Sequence, residues 1–93
     1  MIVSFRDADT ELLWKTGKSR RIPASIRISA AKKLYILHAA FELEHLNVPP
    51  GNRLEALTKD RKGQHSIRIN DQYRVCFRWI NGNAYDVEIV DYH

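Results

Sequence analysis

The apolar positions of this chain change period at its middle, from three-and-four spacing to strict alternation. In the first half Ile28, Ala31, Leu34, Leu37, Ala40 and Phe41 fall on one side of a helical wheel. They predict an amphipathic helix starting after Pro23, whose fixed φ suits a first turn. Asn47, Pro49, Pro50 and Gly51 end it, since proline lacks the amide that a continuing helix needs. Residues 1–5 predict a short strand. Asp7, Asp9 and Glu11 then open a shorter helix that Lys15, Gly17 and Lys18 close, with acids at its positive end and bases at its negative end. Leu12, Leu13 and Trp14 are its expected buried side. His38 falls on or beside the longer stripe and reads as a packed helix residue.

In the second half Ile67 and Ile69 alternate with Ser66, Arg68 and Asn70. Tyr73, Val75, Phe77 and Trp79 alternate with Arg74, Cys76 and Arg78, and Tyr85, Val87 and Ile89 with Asp86, Glu88 and Val90. Three such runs predict an antiparallel meander with one face on the core. A two-residue Asn81-Gly82 loop would set Phe77 opposite Asp86 and Val75 opposite Glu88, mixing core with solvent. An odd loop carrying a glycine bulge is therefore expected, because a one-residue shift flips every side chain. Arg74 and Arg78 should then come near Glu88 and Asp86. The fold class is α+β in the order β-α-α-β-β-β, with two helices on one face of a mainly antiparallel twisted sheet.

Ninety-three residues suit one domain, here 1–93, and 44% hydrophobic residues are ample for a globular core. Fifteen Lys and Arg against 11 acids leave a net charge of +4. That balance suits an anionic partner such as nucleic acid, and equally a basic surface that only aids solubility. Cys76 is the only cysteine, so no internal disulfide can form, and its place in an apolar run reads as a small buried hydrophobe. The opening Met1-Ile2-Val3-Ser4-Phe5-Arg6 meets charge too early for a signal peptide, and no apolar run approaches membrane-spanning length. A cytoplasmic protein with no membrane partner is expected.

Three constellations carry candidate chemistry. Lys15, Lys18, Arg20, Arg21, Arg27, Lys32 and Lys33 occur with no acid between Leu12 and Phe41, which makes either a phosphate-binding surface or a solvated face. The segment from Arg53 to Arg68 carries Lys59, Arg61, Lys62 and Arg68 around a turn into a strand. Arg68 and Arg74 point away from the apolar face, where guanidinium groups can grip phosphate or form ordinary cross-strand pairs. Cross-strand pairing is the reading adopted for Arg78, and Arg74 stays open between the two. The ending Asp91-Tyr92-His93 combines a proton-transfer group with an aromatic that can orient a phosphate or base, though chain ends also fray. His38, His45 and His65 have no metal-ligand spacing, and no Gly-rich phosphate loop or Ser-His-Asp order exists.

Several segments together resemble a known family. Pro49-Pro50-Gly51-Asn52-Arg53-Leu54-Glu55-Ala56-Leu57, Asp60 through Asn70, Tyr73-Arg74-Val75-Cys76-Phe77 and Val87 through His93 are similar to HigB toxins, the plasmid-maintenance killer branch of the RelE/ParE superfamily. The likeness covers nearly the whole chain. It implies a ribosome-dependent endoribonuclease acting in the A site, where a ribose 2′-hydroxyl attacks the adjacent phosphate. It implies as partners the 70S ribosome with its mRNA and rRNA, and a HigA-type helix-turn-helix antitoxin. No metal or organic cofactor is expected. By position, Arg74 matches the phosphate-stabilising arginine, while Asp91, Tyr92 and His93 match the terminal Asp-Tyr-His. Where some HigB toxins carry a catalytic histidine this chain has Glu55, and their nearby lysine falls on Thr58, with Lys59 one place along. The resemblance thus implies a slow enzyme, or one using His93 and Glu55 as its proton-transfer pair. Lys59, Arg61, Lys62, Arg68, Lys18, Arg20 and Arg21 would hold RNA or ribosome. A gyrase-poisoning toxin of the ParE kind and a non-catalytic RNA-binding module are the competing functions, and neither needs a proton-transfer residue at the terminus.

Overall fold

The computed structural model describes residues 1–91. Helix α1 spans Ala8–Thr16 and α2 spans Arg27–Ala39. Both pack on a four-stranded antiparallel sheet, ordered β1 (Glu55–Ala56), β2 (His65–Arg68), β3 (Tyr73–Ile80) and β4 (Asn83–Asp91). The expected α+β architecture is therefore present, with β1 added ahead of the meander.

Helix α1 is bounded as its charges predict. The Asp7 carboxylate accepts from the Thr10 amide at 3.0 Å, and Gly17, at φ 77°, closes the helix by donating its amide to the Leu13 carbonyl. Leu13 is buried and Trp14 packs partly against the core, but Leu12 is 47% exposed, so the inward side is narrower than expected. Helix α2 departs further from its predicted stripe. Ala30, Leu34 and Leu37 face the core, whereas Ile28 is 74% and Phe41 82% exposed. The helix ends at Ala39, ahead of Phe41, and a 3-10 turn over Leu43–Asn47 follows. The wheel had merged two apolar sides of one helix. His38 packs as expected: its Nδ1 accepts from the Ile2 amide, and its ring lies 5.2 Å from that of Trp14.

The β3–β4 connection corrects the expected odd loop. Ile80 pairs with Asn83, leaving the two-residue loop Asn81-Gly82, and both residues hold positive φ, the twist that two-residue hairpins favour. The register conflict is resolved further along. Between the pairs Arg78↔Tyr85 and Cys76↔Glu88, the single residue Phe77 faces both Asp86 and Val87, with Asp86 at φ 52°. This bulge shifts the register, so that Val75 meets Ile89 in the core.

The same bulge explains why residues 1–5 are not a regular strand. They run parallel to β4 and make two isolated bridges, Ile2↔Ala84 and Phe5↔Val87. Between them the Asp86 amide turns to the Ser4 hydroxyl at 2.9 Å. Past Phe5, side chains serve the edge of β4: the Ile89 amide donates to the Thr10 hydroxyl, and Arg21 Nη2 donates to the Ile89 carbonyl. Among the described residues no helix is long and apolar enough to cross a membrane.

Candidate active site

Four residues form a row across the sheet on the face away from the helices. Glu55 pairs with Ser66, Ser66 with Cys76, and Cys76 with Glu88, one residue from each strand. Pairing partners share a face, so this row is the outer counterpart of the apolar core row Ile67, Val75 and Ile89. Arg68 and Arg74 stand in the next row.

Arg74 is the most constrained cation of this face. It is only 8% exposed. Its Nε donates to Ser66 Oγ at 2.7 Å, and its Nη2 donates to the Arg53 carbonyl at 2.5 Å and the Ser66 carbonyl at 3.5 Å. Its Nη1 lies 3.8 Å from Glu55 Oε1. An arginine stays charged when buried, so these acceptors hold a permanent positive charge in one orientation. Glu55 is exposed at the rim. Arg74 lies diagonally across from Glu88 on this face, but among the described residues no ion pair joins the two. Arg61 takes Glu88 instead, donating Nη1 to Glu88 Oε1 at 2.6 Å and to Gln64 Oε1 at 3.1 Å. A loop residue spans the face to a strand partner, which alternation does not foresee. Arg78 pairs with Asp86 at 3.5 Å, as its register suggested.

Cys76 lies in the same row, fully buried, and burial pushes its thiol up to about 11. At neutral pH it is a protonated hydrophobe with no nucleophilic role. Among the described residues no cluster of His, Cys, Asp and Glu could hold a metal ion.

The other expected site residues are dispersed. Lys59 and Lys62 are exposed on the turn before β2, and Arg68 is half-buried and paired with Asp71. Lys18 and Arg20 are exposed between the helices. Arg21 is held by Asp7 at 2.9 Å and Asp9 at 3.5 Å. Asp91 pairs with Tyr73, so alternation assigns it to the side opposite Arg74, where its Oδ2 accepts from Gln72 Nε2. Tyr92 and His93 lie outside the described residues. Sequence reasoning missed Ser66 and the Arg53 carbonyl. The alternation around Ile67 did put Ser66 on the polar face, but a backbone acceptor leaves no mark in a sequence.

On the far side of the helical layer, a groove of about 580 Å³ is lined by Ile28, Ala31, Tyr35 and Ile36 with Gly17, Arg27 and Lys32. Its exposed apolar residues are Ile28 and Tyr35, while Ile36 also packs partly against the core.

Comparison with known proteins adds a family to this geometry. Residues 3–93 match the HigB-like toxin family, described as the RelE-like toxin of type II toxin–antitoxin system HigB. The chain is 44% identical to "Toxin HigB-1" of Vibrio cholerae over 85 residues, 90% of each chain. It is 33% identical to "Endoribonuclease HigB" of Proteus vulgaris over 93 residues, the full length of both. An uncharacterized protein of Haemophilus influenzae is 32% identical over 81 residues, 86% of this chain and 80% of the relative.

Proposed function

The chain belongs to the HigB-like family of RelE-like toxins, and from that premise we propose that it cuts messenger RNA in the A site of the ribosome. It is a toxin of a type II toxin–antitoxin system with endoribonuclease activity. Ribosome dependence, the mRNA substrate and the roles of individual residues are our reading. The observation that carries it is the buried, fixed Arg74 guanidinium beside the exposed carboxylate of Glu55.

In the proposed reaction the ribose 2′-oxygen forms a bond to the adjacent phosphorus and the bond to the 5′-oxygen breaks. One proton leaves the 2′-hydroxyl and one must reach the departing 5′-oxygen. Negative charge builds on the phosphorane between these events, and Arg74, already oriented, stabilises it without reorganising. Glu55 and His93 exchange the two protons as general base and general acid. Tyr92 orients the base or phosphate, and Asp91 supports the same terminus. Lys59, Lys62 and Arg68 meet the RNA backbone along the rim, and Lys18 and Arg20 add long-range attraction to rRNA. Arg21 and Arg61 contribute charge from positions already fixed by acids of the fold. The antitoxin is of HigA type, and the pair works in the cytoplasm, where translating ribosomes are.

Primer extension on a defined mRNA, with and without programmed ribosomes, tests the reading. Ribosome-bound mRNA should be cut under conditions in which naked mRNA survives. Efficient cleavage of free RNA at physiological salt would contradict the A-site mechanism.

A further inference from the structure

We infer that Ser66 is a positioning residue for the cleavage reaction, acting through Arg74 together with the backbone carbonyl of Arg53. This deepens the reading of Arg74 given above and rests on it.

A guanidinium on a flexible stem can turn about several bonds, and a charge that wanders stabilises a transition state poorly. Two separate anchors prevent this here. Ser66 Oγ accepts from Nε at 2.7 Å, and the Arg53 carbonyl accepts from Nη2 at 2.5 Å. Together they grip one edge of the guanidinium plane, which turns the Nη1 end toward Glu55. Both anchors are neutral, so they fix the cation without cancelling its charge.

Each anchor is itself built in. Ser66 is fully buried on β2, between Glu55 of β1 and Cys76 of β3 in the ladder. A buried serine costs free energy unless its hydroxyl is hydrogen-bonded, and the Arg74 contact supplies that bond. Arg53 stands at φ 46° and ψ 60°, a left-handed conformation uncommon for a residue with a side chain. The preceding residue holds it there. Asn52 is fully buried, donates Nδ2 to the carbonyls of Leu46 and Val48, and accepts from Lys33 Nζ of α2. Partial burial, with Arg68 adding its charge, lowers the Lys33 pKa. The helical layer thus braces the turn whose carbonyl aims Arg74.

The test is a double-mutant cycle on programmed ribosomes with Ser66→Ala, Arg74→Ala and the double variant, plus Ser66→Thr. Single-turnover cleavage, the half-saturating toxin concentration, thermal melting and antitoxin binding are measured for each. Ser66→Ala should slow cleavage about tenfold, the scale of a hydrogen bond to a charged group, without shifting half-saturation or antitoxin binding. Ser66→Thr, which restores the hydroxyl, should recover most of the rate. In the Arg74→Ala background the Ser66→Ala change should add nothing, because its target is gone. A wild-type rate for Ser66→Ala with an inactive Arg74→Ala would overturn the inference while leaving Arg74 catalytic. An equal Ser66→Ala loss in both backgrounds, or a loss that only follows the folded fraction, would also overturn it. Wild-type cleavage by Arg74→Ala would remove the reading on which it rests.

Discussion

The cations of the helical layer and those of the outer sheet face differ in what holds them. Around the helices, Lys18, Arg20 and Lys32 extend into solvent, and Lys15 and Arg21 pair with acids near the surface. Arg27 serves the fold, donating to the Ile22 and Ser19 carbonyls to close the turn between the helices. On the sheet face Arg74 is enclosed by a hydroxyl and backbone carbonyls, and Arg61 is fixed by Glu88 and Gln64. Solvated side chains are screened by salt and mobile, which suits attraction to a polyanion and little else. An enclosed guanidinium has already paid its ordering entropy, which suits a charge that must sit beside a phosphorane. Two groups of cations alike in sequence thus differ in how they are held, and in the proposed function they serve binding and chemistry respectively.

The largest expected effect lies on the chemical side. His93→Gln keeps size and hydrogen bonding but cannot cycle a proton near neutral pH. It should slow cleavage by ~10²–10⁴ while leaving ribosome and antitoxin binding intact. A wild-type rate on programmed ribosomes would remove His93 from the reaction and leave the face around Arg74 to do the chemistry without it.

A smaller effect is expected on the binding side. Replacing Lys18, Arg20 and Lys32 together by Ala should raise the half-saturating toxin concentration severalfold and flatten its salt dependence, with the saturated rate unchanged. Titrations at two ionic strengths measure this. A fall in the saturated rate instead would erase the distinction between the two groups of cations.

The period change at mid-chain, the caps of α1 and the three meander strands were legible because local patterns carry them. Arg74 was readable as an outer-face residue for the same reason. What escaped depended on tertiary placement. Helix α2 has apolar residues on two sides, so the wheel could not tell Leu34, which reaches the sheet, from Ile28, which does not. The register conflict at Phe77 was visible, but its remedy at Asp86 rather than in the turn depends on a positive φ that only the folded chain displays. β1, at two residues, is too short to show a period. Two of the acceptors that hold Arg74 are a loop carbonyl and the hydroxyl of a diagonal strand neighbour, and pairwise alternation identifies neither.

The central claim is that Arg74 is a preoriented charge for the transition state rather than a structural pair. Single-turnover mRNA cleavage by Arg74→Ala on programmed ribosomes at saturating toxin, corrected for the folded fraction by thermal melting, tests it most directly. The account predicts a rate ~10²–10³-fold lower, with ribosome affinity nearly unchanged. A corrected rate equal to wild type would contradict it and leave Arg74 a buried strut of the sheet.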